Sequence, residues 1–159
     1  MAEDRSALLR AFITSEASPD GKWWVDVPVG LSVGAEGEYG TVDAVCLTSR
    51  EGELPEVYPD HTGVPYVAHR GDAAAGVTKA DMFRSLREKE LFADETAVLV
   101  AVEPGASSVG PVGELLAYRE LVESDWDWDV AELLLVSDED SAHVNYVCDE
   151  LSVRAMRVA

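Results

Sequence analysis

Apolar positions along the chain change period several times, and each change marks an element. Leu9, Phe12, Ile13 and Glu16 fall three and four residues apart, the spacing of one helix face. "SPDG" (18–21) then turns the chain. In "KWWVDVPVG" the pattern alternates, so Trp23, Val25, Val27 and Val29 are expected on one side of a half-buried strand. "GEYGTVDAVCLTS" follows a Gly-rich turn and reads as its hairpin partner, with Val42, Val45 and Leu47 as apolar positions.

Periodicity lapses over 49–94, a stretch rich in Pro, Gly and acids. Within it "TKADMFRSLREKELF" reads as a helix opened by Thr78, with Asp81 three residues on. Order resumes in "ETAVLVAVE", a near-continuous apolar run suited to a central strand. "GPVGELLAYRELVES" predicts a helix with Pro111 in its first turn, and "AELLLVSD" a second buried strand. In "DSAHVNYVCDEL", Val144, Val147, Cys148 and Leu151 fall at i, i+3, i+4 and i+7 and should pack on the sheet. "SVRAMRV" closes as a last strand. The order α-β-β-insertion-β-α-β-α-β predicts one α/β domain over 1–159, with a mixed sheet, flanking helices and an insertion at 49–94.

Charge changes this picture more than any other compositional feature. Acids number 31 against 12 basic residues, a net charge of −19, and three of the basic residues are lysines (Lys22, Lys79, Lys89). Such self-repulsion is tolerated where salt screens it, and the acids are spread along the chain rather than gathered in a tail. That composition resembles that of haloarchaeal proteins, so a halophilic archaeon or its virus is the expected source. The same charge opposes nucleic-acid binding at low salt. "MAEDRSALLR" carries no apolar leader, and no apolar run approaches the ~20 residues that span a bilayer. A cytoplasmic location is expected, or a virion if the gene is viral. Cys46 and Cys148 read as buried small hydrophobes in a reducing compartment. His61, His69 and His143 show no metal-ligand spacing and read as surface or loop histidines.

The element order, Asp43 in "GTVDAV", Glu103 in "VAVEPG" and the helix "GELLAY" together resemble the PD-(D/E)xK superfamily. This restriction-endonuclease-like fold includes Holliday-junction resolvases and RecB-type nuclease domains. In that family a helix glutamate, a second-strand aspartate and a third-strand Glu-x-Lys surround one or two magnesium ions. The resemblance implies that Glu16 is the helix glutamate and Asp43 the aspartate. It also implies that Glu114 and Tyr118 hold the Gln and Tyr positions of the next helix, four apart on one face.

The third strand departs from the pattern. If Glu103 matches the family's glutamate, the lysine position is Gly105. If it matches the lysine, Ala101 has replaced the glutamate as well. Both alignments lose the lysine. A cation beside the attacking water stabilises the charge that develops in phosphodiester hydrolysis, and its loss should cost orders of magnitude in rate. Arg119 and Lys22 are the candidates for a relocated cation. The expectation is a catalytically degenerate nuclease fold, leaning away from enzyme activity. It would act as a binding or structural subunit with DNA or a DNA-handling or virion partner, with no cofactor or with weakly bound Mg²⁺ or Mn²⁺. Two alternatives stand beside it: an active Mg²⁺-dependent nuclease, and an acidic DNA mimic with its carboxylates on one face.

Overall fold

The computed structural model describes residues 2–34, 38–49, 83–84, 87–88, 94–106 and 108–158. Helix α1 (Ala2–Ile13) precedes strands β1 (Lys22–Val29) and β2 (Gly40–Leu47). Strand β3 (Thr96–Ala106), helix α2 (Val109–Trp126), β4 (Asp129–Glu139), α3 (Ala142–Glu150) and β5 (Arg154–Arg157) complete the order. The five strands form one mixed sheet in chain order, β1-β2-β3-β4-β5. The first three run as an antiparallel meander, whereas β3, β4 and β5 are parallel. The parallel pairs follow from connection type, because the helices α2 and α3 carry the chain back across the sheet between β3, β4 and β5. Among the described residues no helix is long and apolar enough to cross a membrane.

The sheet is covered on both faces, so its central strands are apolar throughout rather than alternating. On one face Leu8, Leu9, Phe12 and Ile13 of α1 pack with Val98, Val100, Leu134 and Val136. On the other, Val112, Leu115 and Val122 of α2 and Val144 and Cys148 of α3 pack with Val45, Leu99 and Leu135. This second core holds an aromatic cluster, with Trp126 stacked on Trp128 at 5.0 Å and Trp24 edge-on to Phe83 at 5.2 Å. Phe83 belongs to the helix expected inside 49–94. Residues 83–84 and 87–88 of that helix are helical, while Thr78 and Asp81 lie outside the described residues.

Two expectations about faces are corrected. Trp23, Val25, Val27 and Val29 do not share a side: Trp23 and Val25 join the α1 core, whereas Val27 and Val29 join Trp24 in the other. The parity changes across Asp26, whose backbone adopts φ 54°. Opposite it in the ladder, Val42 sits in one core while Ala44 and Cys46 sit in the other, so both strands cross over at the Asp26–Asp43 level. Both strands are buried on either side of this point, and burial on two faces erases the alternation that a pattern reading relies on.

Leu151 does not pack on the sheet. Helix α3 ends at Glu150, Leu151 is its C-cap, and its side chain is 43% exposed. The helical period stops one residue short of the i+7 position, and Val153, 3% exposed, fills the core instead. Val144 and Cys148 are buried as the period predicts. Cys46 and Cys148 are both free thiols, and burial pushes the Cys46 thiol up to about 12.

Candidate functional site

The β2–β3 ladder runs from Leu47↔Ala97 to Ala44↔Val100 and there stops. The next strand donor, the Val102 N–H, is taken by the Asp43 carboxylate, whose Oδ2 accepts it at 2.8 Å. A side chain thus replaces a rung, and the two strands part beyond it. Between them opens a cavity of about 230 Å³. Thr41, Val42 and Asp43 form one wall and Ala101, Val102 and Glu103 the other. Helix α2 contributes Pro111, Glu114, Leu115 and Tyr118, and α1 contributes Arg5.

Asp43 is held on two sides. Its second oxygen, Oδ1, faces Arg5 Nη1 at 3.4 Å; the aspartate side chain is 16% exposed and the arginine 57%. Burial raises the carboxyl above its usual value, the Val102 N–H and Arg5 oppose the rise, and the charges of Asp26 and Glu114 add to it. Asp43 is therefore a carboxylate crowded by like charge, with one guanidinium beside it.

Glu103 also lines the cavity, but its carboxylate turns toward the start of α2. It accepts from the Ser108 N–H, and from Ser108 Oγ at 3.0 Å. Ser108 is the N-cap of α2 and makes no side-chain cap bond of its own. A carboxylate beside a helix N-terminus is favoured by the unpaired N–H groups there. The Pro104-Gly105 step makes this possible, since Gly105 adopts φ 82°, a conformation open to glycine. Glu103 thus ends the apolar run of β3 and anchors the helix that follows.

On α2, the Tyr118 hydroxyl donates to Glu114 Oε2 at 3.3 Å, one helical turn apart. Burial raises the Tyr118 phenol, and the Glu114 charge raises it further. The ring lies against Gly40, where an added Cβ would come within 2.8 Å of Tyr118 Cε1. Glycine at the start of β2 is what admits the tyrosine here.

Four sequence candidates, Asp43, Glu103, Glu114 and Tyr118, therefore line one cavity. Glu16 does not join them. Helix α1 ends at Ile13, so Glu16 falls in the turn beyond it and is exposed. That turn leads into Lys22, which pairs with Leu47 at the end of the sheet away from Asp43. Lys22 therefore begins its strand far from the cavity. Arg119 pairs with its neighbour Glu120 at 3.4 Å and is not among the lining residues. Arg5 was missed by sequence reasoning, because it stands near the start of α1 with no motif around it. Its position one turn before Leu8 and Leu9, the first buried residues of α1, was the available signal.

A divalent metal of the kind the family resemblance implies fits this arrangement poorly. Hard cations need several free oxygen ligands. Here Asp43 is engaged by Val102 and Arg5, and Glu103 by Ser108. Among the described residues, no group of three or more His, Cys, Asp or Glu side chains is arranged to hold a metal ion. No protein-family model, curated protein or solved structure matches the chain.

Proposed function

We propose that this chain is a restriction-endonuclease-like domain with a degenerate catalytic centre, serving as a binding or structural subunit of a DNA-handling or virion assembly in a halophile or its virus. One observation carries the reading: the two carboxylates best placed for metal-assisted hydrolysis are already engaged by donors of their own chain. Among the described residues lining the cavity, Arg5 is the one basic residue, and it is turned onto Asp43. In the restriction-endonuclease-like family phosphodiester hydrolysis uses a metal to clamp the phosphate and lower the pKa of water. With the ligands engaged and the lysine absent, both requirements fail together. The antiparallel meander followed by parallel strands supports the family reading at the level of architecture.

A second reading has one observation in its favour. Arg5 brings a positive charge to the Asp43 carboxylate, so it could serve as the relocated cation of an active nuclease. Assays in molar KCl with Mg²⁺ or Mn²⁺ on single-stranded, duplex and branched DNA separate the two. No cleavage is expected. Cleavage abolished by Asp43→Ala and by Arg5→Ala would overturn the degenerate reading and establish the second.

A further inference from the structure

We infer that the Arg5 guanidinium is the resident counter-ion of Asp43, standing where a divalent cation would have to bind, so that the chain occupies that carboxylate from within and disfavours Mg²⁺ and Mn²⁺. The inference rests on the degenerate-centre reading and gives its physical cause. Arg5 is delivered by a helix that cannot easily withdraw, since Leu8, Leu9, Phe12 and Ile13 bury α1 against the sheet. Its guanidinium reaches Asp43 Oδ1, while Oδ2 is fixed on the Val102 N–H. A metal ion sharing Oδ1 would stand within a few ångströms of the Arg5 positive charge.

Position, rather than total charge, accounts for the exclusion. Asp43, Glu103 and Glu114 carry three negative charges into the cavity against one from Arg5, and Asp26 adds a fourth across the β1–β2 ladder. The pocket therefore keeps a negative potential that would draw a cation in. What Asp43 and Glu103 lack is an oxygen free of a competing donor. Removing the guanidinium frees Asp43 Oδ1 and leaves the carboxylates in place, so divalent affinity should rise by roughly tenfold or more.

Mn²⁺ titrations followed by the paramagnetic resonance of the free ion, in molar KCl without DNA, test this directly. Wild-type protein should bind weakly, and Arg5→Gln at least tenfold more tightly. The gain should vanish in the double variant Arg5→Gln with Asp43→Asn. Arg5 is more than half exposed, so the glutamine variant should fold, and its far-ultraviolet circular dichroism checks that it does. Equal affinity in wild type and Arg5→Gln would overturn the inference. So would a gain that survives Asp43→Asn, because the ion would then sit elsewhere on an acidic surface. Neither result bears on the degenerate-centre reading, which falls only if the wild-type protein cleaves DNA.

Discussion

Asp43 shows how one residue can shape a site and strain it at once. Its carboxylate supplies the hydrogen bond that the β2–β3 ladder loses where the strands part, yet it does so largely out of water and near Asp26 and Glu114. Because folding raises its pKa, the native state holds the Asp43 proton to higher pH than the unfolded chain does. Ionised Asp43 therefore costs stability: the cost is absent below the unfolded value of about 3.9 and complete above the raised folded value. Asn at this position keeps an oxygen for the Val102 N–H and drops the charge. Asp43→Asn should melt above wild type at pH 7, and the difference should shrink as the pH falls below about 4. Paired thermal melts across that range measure it. A variant less stable at neutral pH would mean that the Arg5 pair outweighs burial.

At the scale of elements, α1 and α3 were legible from their apolar period, whereas α2 has almost none and was legible from Pro111 at its start and its place between two buried strands. Element ends were less legible. Nothing in "CDELSV" announces that α3 stops at Glu150, because Leu151 continues the apolar period and the chain simply leaves it. The consequence is testable. Leu151→Ala should cost less than about 1 kcal/mol, since its side chain is 43% exposed. Val153→Ala, at 3% exposure, should cost about 2 kcal/mol. Urea unfolding of the two variants ranks them, and the reverse order would place the end of α3 wrongly. Faces were hidden for a different reason. In β1 Trp23 and Trp24 are both buried in opposite cores, so hydrophobicity carried no parity, and the switch at Asp26 is a backbone event without a residue signature. The candidate site was partly legible through Asp43, Glu103, Glu114 and Tyr118. Arg5 was not, because its role depends on how α1 packs across the sheet and on nothing nearby in sequence.

Over the whole molecule, the surplus of acids acts as a uniform load that the local pairs barely relieve. The chain carries −19, and apart from Arg5 with Asp43 its described pairs, such as Arg154 with Glu132 and Arg157 with Asp140, join partners that are both at least a third exposed. Exposed pairs contribute from almost nothing to about 1 kcal/mol each. Salt screens these attractions and the repulsions alike, but with 31 acids against 12 basic residues the repulsions are far more numerous. Raising ionic strength should therefore stabilise the fold on balance. The Debye length falls from about 10 Å at 0.1 M to about 3 Å at 1 M. If screening is the cause, most of the gain should appear below 1 M KCl. Further gain to 3 M would reflect salt exclusion from the surface instead. At this chain length each 1 kcal/mol gained moves the melting temperature by about 2–4 °C, so a gain of a few kcal/mol is readily measured. Melts in a KCl series from 0.1 to 3 M should rise steeply and then flatten. A variant with several exposed glutamates replaced by glutamine should start higher at 0.1 M and rise less. A wild-type curve that stays flat throughout would show that the charge is already accommodated by the fold, and the case for a halophilic origin would lose its physical basis.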